Sequence, residues 1–141
     1  MAGRGNRMEH FEWNSNYATG IREIDAQHEY LFALTNRLIR HTAGGNDTTL
    51  LHELLDELNN YVEQHFSYEE SVLQQAKYEN LVEHKAHHAR MRARLDLYAT
   101  ELKTGGLSVG EVVDFLKTWL KLHILREDMK YIPAISNLKN G

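Results

Sequence analysis

The chain has 141 residues, 26% of them charged, and a net charge of −4 at pH 7. This length suits one domain with a hydrophobic core, and the interspersed charges offer no basic field that would bind nucleic acid or an anionic membrane. Because the chain has no cysteine, it can form neither disulfides nor a thiolate metal site, and any metal must be bound through nitrogen and oxygen.

An irregular arm, residues 1–19, opens the chain. Its first part, MAGRGNRMEHFEW, lacks the apolar core of a signal peptide. No apolar run in the sequence approaches the roughly 20 residues that span a bilayer. The sequence therefore predicts a soluble, cytoplasmic protein that binds neither nucleic acid nor membrane.

Four helices are predicted to follow the arm. The glycine pairs at 44–45 and 105–106 interrupt long stretches without glycine or proline, and Pro133 predicts a stop. Ser108-Val-Gly-Glu111 has the form of a capping box, and Asn80-Leu-Val-Glu83 has a weaker version of it. The predicted helices cover residues 20–42, 47–77, 80–104 and 108–131. Short connections favour an all-α, antiparallel up-down-up-down four-helix bundle, as a single domain over residues 1–141.

Histidines and acidic residues interrupt the apolar face of every predicted helix. Apolar residues recur at three- and four-residue steps, which indicates one buried face per helix. The interrupting residues are His28, His65, Glu69, His84, His88, His123 and Glu127. A single core histidine is usually just packed and hydrogen-bonded. Five of them need a common partner, because each unpaired buried polar group costs about 1–3 kcal/mol.

The spacing of these residues predicts a metal site. His65/Glu69 and His84/His88 are i,i+4 pairs, which places both side chains of each pair on the same helix face. Imidazole and carboxylate without sulfur suit iron, manganese or zinc. Two carboxylates among five imidazoles are too many donors for one ion but suit two ions with carboxylate bridges. The sequence contains neither H-E-x-x-H nor E-x-x-H, so zinc-protease and ferritin-like sites are not indicated.

The four remaining histidines are predicted to be solvated. His10 lies in the arm, His41 at the end of the first helix, and His52 off the buried face of the second. His87 is rotated by about 100° from His88 on an ideal helix. His87 is nevertheless kept as a possible substitute for one of the metal ligands.

Four segments of the sequence resemble bacterial hemerythrins, which are di-iron, oxygen-binding four-helix bundles. The segments are GIREIDAQHEYLF (20–32), HFSYEE (65–70), HKAHH (84–88) and WLKLHILRED (119–128), and Trp13 in the arm fits the same pattern. Members of the family often have a proline after the tyrosine at Tyr78 and a methionine after the paired glutamates, where this chain has glutamate and Ser-Val-Leu. That departure concerns the turn between two helices and not the ligand positions.

The resemblance implies two iron ions, cycling between Fe2+ and Fe3+ and bridged by an oxo or hydroxo group. It implies one iron bound by His84, His88 and His123, another bound by His28 and His65, and bridges from Glu69 and Asp128. The iron with two histidines would keep a position for dioxygen beside an apolar pocket. The candidate lining residues are Ile24, Leu31, Phe32 and Tyr61.

The function implied is reversible dioxygen binding, as a carrier, storage or delivery protein that is not an enzyme. Two alternatives stay open. One is an oxygen or redox sensor module of a larger signalling protein with an output domain. The other is a di-iron oxidase or peroxidase-like enzyme that draws electrons from a redox partner.

Helix geometry and the resemblance disagree on the last ligand. From His123, an ideal α-helix brings Glu127 to within about 40° of the same face and leaves Asp128 about 140° away. The family spacing favours Asp128, which can face inward only if the helix widens into an i→i+5 turn or ends there. We therefore predict a distorted helix between His123 and Pro133.

Overall fold

The structure is a computed structural model that describes residues 11–44 and 48–135. Its long helices are α1 (Arg22–Gly44), α2 (Thr48–Gln75), α3 (Leu81–Thr104) and α4 (Val109–Leu122). A 3-10 turn (Ser15–Tyr17) precedes α1, and a π-helix (His123–Asp128) and a second 3-10 turn (Met129–Tyr131) continue α4. The described residues contain no strand, and none of their helices is long and apolar enough to cross a membrane. The predicted all-α four-helix bundle is confirmed.

Two apolar clusters fill the interior, and a polar layer separates them on every helix. The larger cluster includes Leu31, Phe66, Met91 and Leu120. The smaller cluster contains Ile21, Ile24, Leu73, Tyr131 and Ile135, with Leu81 packed against it. Along the chain, α1 and α3 run from the smaller cluster to the larger one, whereas α2 and α4 run back. This alternation is the antiparallel up-down-up-down arrangement.

The described part of the N-terminal arm packs against α1. The Asn36 side chain accepts a hydrogen bond from the Phe11 N–H at 2.7 Å and donates one to the Phe11 carbonyl at 2.9 Å. The Phe11 ring stacks on Phe32, with centroids 3.9 Å apart. Trp13 also contacts Phe32, and its ring centroid lies 6.5 Å from that of His28. The arm therefore places aromatic surface beside the polar layer.

The turn between α3 and α4 follows the predicted signals. Gly105 adopts a left-handed φ of 80°, and the Gly106 N–H donates to the Glu101 carbonyl at 2.9 Å, which closes the end of α3. At the start of α4, the Ser108 hydroxyl accepts a hydrogen bond from the Glu111 N–H at 3.4 Å. The weaker capping box predicted at Asn80 is wrong, because its side chain makes no capping hydrogen bond.

The turn between α2 and α3 uses a non-glycine residue in the left-handed region. Lys77 has a φ of 55°, and the next N–H, that of Tyr78, donates to the Leu73 carbonyl at 3.0 Å. This hydrogen bond closes α2 in the manner of a glycine-terminated helix. The turn forms without the proline that the family often has after Tyr78.

Pro133 does not end the last helix, and the stop predicted there is wrong. Residues 132–135 are helical. A proline is tolerated in the first turn of a helix, where its missing N–H has no intrahelical partner. The 3-10 turn Met129–Tyr131 leads without a gap into the helical residues 132–135.

Replacing Gly105 with alanine should lower the free energy of unfolding by about 1–2 kcal/mol, because a Cβ atom is strained at this left-handed φ. No neighbouring atom lies within 4 Å of the added Cβ, so the backbone conformation alone causes the loss. The matched control is Gly106→Ala, whose Cβ meets only Thr104 Oγ1 at an ordinary 3.8 Å. Urea unfolding measures both variants, and equal losses would contradict the assignment.

Candidate metal centre

All seven residues predicted as metal ligands lie in the polar layer between the two apolar clusters. His84 is 2% exposed and the other six are 0% exposed. They form two groups, His28, His65, Glu69, His123 and Asp128 in one, and Glu69, His84, His88 and His123 in the other. Within each group, one donor atom per residue lies within 4.8 Å of all the others. The structure thus brings together residues from all four helical segments.

Glu69 stands between the two groups. Its Oε1 lies 2.6 Å from His84 Nε2 and 2.8 Å from His88 Nε2. Its Oε2 faces the other group and lies 3.6 Å from His65 Nε2. One carboxylate oxygen therefore faces each group, which is the geometry of a bridging carboxylate.

The π-helix His123–Asp128 turns Asp128 into the layer. The wider turn of a π-helix brings position i+5 to the same face as position i. Asp128 therefore lies on the same buried face as His123, and both side chains are fully buried. Glu127 remains partly exposed, and it belongs to neither donor group. The predicted distortion of this helix is confirmed.

Asp128 also faces both groups. Its Oδ2 lies 2.8 Å from His28 Nε2 and 3.0 Å from His123 Nε2. Its Oδ1 lies 3.4 Å from His84 Nε2. Asp128 is therefore placed as a second carboxylate between the histidines of the two groups.

The donor atoms are close together but do not satisfy one another. Both ring nitrogens of His28 and both carboxylate oxygens of Asp128 are buried without a hydrogen-bond partner. His28 Nε2 lies 2.8 Å from Asp128 Oδ2, yet neither atom has a hydrogen-bond partner. Buried polar groups normally have partners. A shared cation would satisfy these atoms, and imidazole with carboxylate suits iron, manganese or zinc.

The charge states of the buried groups also fit a cation. Burial lowers the pKa of His28 to about 3 and that of His65 to about 4, so both rings are neutral at pH 7 and keep a free lone pair. Burial raises the pKa of Asp128 well above its usual value, and the nearby Glu69 carboxylate raises it further. Burial also acts to raise the pKa of Glu69, but His123 and His65 outweigh it and lower that pKa. A bound cation would favour the ionised form of both carboxylates.

Two of the histidines contact a polar side chain through Nδ1, the ring nitrogen that does not face the donor groups. His65 Nδ1 lies 2.7 Å from Gln27 Oε1, and His88 Nδ1 lies 2.7 Å from Glu70 Oε2. Such contacts fix the ring so that Nε2 points into the layer, where it could bind a metal. The sequence analysis missed both roles, although Glu70 is the second of the paired glutamates in HFSYEE.

Tyr131 is a further residue that the sequence analysis did not identify. Its hydroxyl donates to Glu69 Oε2 at 2.8 Å, and its side chain is fully buried. Burial raises the pKa of Tyr131 well above its usual value, so the hydroxyl keeps its proton. Helical periodicity cannot place this residue, because the π-helix before it shifts the register.

The remaining histidines divide between surface and interior. His52 is exposed, as predicted. His41 is only 9% exposed, so the prediction of a solvated side chain is wrong there. His10 lies outside the described residues.

His87 was also predicted to be solvated, and this is wrong. It is 9% exposed, and its ring lies nearly parallel to that of Trp119, with centroids 5.1 Å apart. Its Nε2 lies 3.1 Å from His123 Nδ1, on the side of His123 away from the two groups. Burial lowers the pKa of His87 to about 4. His87 belongs to neither donor group, so it is not placed as a substitute ligand.

The candidate pocket residues flank the layer from both sides. Ile24 lies in the smaller apolar cluster, and Leu31 and Phe32 lie in the larger one. Tyr61 is half-buried at the edge of the larger cluster. Their contact with dioxygen stays a proposal.

The fold and this layer define a class of protein, a four-helix bundle whose buried imidazoles and carboxylates can hold metal. Residues 19–135 match the protein family described as "Hemerythrin HHE cation binding domain". The chain belongs to the hemerythrin family.

Relatives and a solved structure agree with this assignment. The chain is 30% identical to a bacteriohemerythrin of Pseudomonas paraeruginosa over 128 residues, which cover 91% of this chain and 83% of the relative. It is 35% identical to a hemerythrin-like protein of Naegleria gruberi over 122 residues, covering 86% and 90%. A crystal structure of wild-type hemerythrin superposes with a TM-score of 0.82 at 28% identity, covering 89% of this chain and 97% of the other.

Replacing Asp128 with alanine should reduce the metal bound per chain, because it removes a carboxylate that faces both groups. Glu127→Ala is the matched control, one residue away on the same π-helix, and it should bind as much metal as the unmodified chain. Metal analysis after gel filtration measures both. Loss in the Glu127 variant with retention in the Asp128 variant would show that ideal helix spacing was the better guide.

Removing metal with a chelator should lower the melting temperature. Without a cation, converging carboxylates and imidazoles stay buried together, and metal that binds only the folded chain stabilises it. Circular dichroism of chelated and metal-loaded samples measures the shift. Identical melting temperatures would mean that this layer is not a shared metal site.

Proposed function

We propose that this chain binds dioxygen reversibly at a non-haem di-iron centre and serves as an oxygen carrier, storage or delivery protein, not as an enzyme. The observation that carries the proposal is the pair of overlapping, buried donor groups that share Glu69 and His123. Two ions so close together can both act on one small molecule.

The proposed ligands divide unequally between the ions. One iron is assigned to His84, His88 and His123, and the other to His28 and His65, with Glu69 and Asp128 as bridges. The two oxygens of Glu69 face opposite histidine sets, which supports its bridging role. Asp128 supports the same role differently, because its Oδ2 lies near one histidine of each set, His28 and His123. Three imidazoles against two leave the second ion with one more position for an external molecule.

The His28 side of the layer suits a small apolar gas. Trp13 and Phe32 lie near His28, and Phe66 packs beside His65 with ring centroids 5.8 Å apart. When bound, two ferrous ions supply the electrons that dioxygen takes up and later returns. The apolar residues exclude water and so disfavour side reactions that would make the exchange irreversible.

The polar groups of the layer also favour binding over turnover. Tyr131 keeps its proton in a hydrogen bond to Glu69, and every buried carboxylate of the layer belongs to a donor group. Among the described residues of the layer, none is therefore left over as an acid to cleave the oxygen–oxygen bond. The relatives named as bacteriohemerythrins support the same function by analogy.

The test is the optical spectrum of the reduced, iron-loaded protein before and after exposure to dioxygen. We expect two irons per chain, a new visible band with dioxygen, and its loss when dioxygen is removed, over repeated cycles. His84→Ala should abolish the band, whereas His52→Ala, a change at an exposed histidine, should not.

Two outcomes would contradict the proposal. A band that cannot be reversed would exclude a carrier. Steady consumption of dioxygen in the presence of a reductant would identify an oxidase or peroxidase-like enzyme instead.

A further inference from the structure

A third histidine of the layer, His123, also has a polar partner at Nδ1, and this partner is another imidazole. His123 Nδ1 lies 3.1 Å from His87 Nε2. His65 has an amide oxygen in the corresponding place and His88 a carboxylate. His87 belongs to neither donor group, and the nitrogen–nitrogen contact links its ring to His123.

Stacking fixes the orientation of both rings. His87, Trp119 and His123 lie nearly parallel, with interplanar angles of 8° and 13° for the contacts of His123. Trp119 is i−4 from His123, and its ring centroid lies 4.4 Å from that of His123. The planes of the two imidazole rings are therefore nearly parallel, and this orientation allows a hydrogen bond between their facing nitrogens.

The tautomers follow from this geometry. If His123 binds metal through Nε2, its Nδ1 carries the proton and can donate it. A neutral His87 accepts that hydrogen bond at Nε2 and carries its own proton on Nδ1. The ring borders a surface groove of about 270 Å³, lined also by Arg90 and Arg94, so water can reach its outer side.

We propose that His87 is a positioning residue, which accepts a hydrogen bond from His123 Nδ1–H and so holds His123 Nε2 toward the metal ions. This inference rests on the proposed metal centre. A contact of this kind typically changes metal affinity by about 10- to 100-fold when it is removed. His87 thus acts on the ions without binding them.

The direct test uses the unmodified, 15N-labelled protein loaded with zinc, which has no redox chemistry to disturb the measurement. We expect two zinc ions per chain and a nitrogen–nitrogen coupling across the hydrogen bond between His123 Nδ1 and His87 Nε2 in the NMR spectrum. Normal zinc loading without this coupling would overturn the role of His87. Failure to bind two zinc ions would instead contradict the metal centre itself.

Two variants separate the hydrogen bond from the packing. His87→Phe keeps a flat ring against Trp119 but removes the acceptor, and it should weaken the binding of zinc by about 10- to 100-fold in competition with a chelator. His87→Gln keeps an acceptor at nearly the same reach and should restore most of the affinity. His52→Phe, the same change at an exposed histidine, should have no effect.

Unchanged zinc affinity in His87→Phe would overturn the proposal, as would equal losses in the Phe and Gln variants. If His87→Phe does not fold, the coupling in the unmodified protein and the affinity of His87→Gln still decide the question.

Discussion

The structure depends on two carboxylates that are buried side by side among imidazoles. Glu69 and Asp128 are both fully buried, and burial, followed by the nearby Glu69 carboxylate, raises the pKa of Asp128. In an apolar interior, such a pair is unfavourable unless positive charge lies between its members. The hemerythrin-family bundle encloses the pair between its larger and smaller apolar clusters. A bound cation would therefore stabilise the fold at this pair.

The backbone contributes as much to this layer as the side chains do. Regular α-helices present His65 with Glu69, and His84 with His88, at i,i+4 spacing. The fourth helix cannot present His123 with Asp128 in this way, and it changes to a π-helix over that stretch. A π-helix is less favourable than an α-helix and is found mostly at functional sites. Here it brings Asp128 Oδ2 to within 2.8 Å of His28 Nε2 and 3.0 Å of His123 Nε2.

Several members of the layer also contact polar side chains that lie outside the two donor groups. Gln27, Glu70 and His87 contact the rear nitrogens of three histidines, and Tyr131 binds Glu69. The three rear partners differ chemically, as an amide, a carboxylate and an imidazole. A stronger hydrogen-bond acceptor at one ring nitrogen makes the other nitrogen a better metal ligand. The three histidines would therefore differ in how strongly they bind a metal. The arm adds Trp13 near His28, which keeps that side apolar.

Helical periodicity in the sequence was sufficient to predict the four helices, their antiparallel order and the buried position of five histidines, but not that of His41 and His87. It succeeded because i,i+4 spacing is a local property of an α-helix. It failed where the helix is not regular or where the decisive contact is between helices. α-Helical spacing does not predict the inward turn of Asp128, the continued helix at Pro133 or the hydrogen bond of Tyr131. Only the spacing found in the family favoured Asp128. His87 illustrates the second case, because its burial depends on Trp119 from the facing helix α4. Local spacing along one helix specifies which side chains share a face, whereas only packing between helices determines what that face meets.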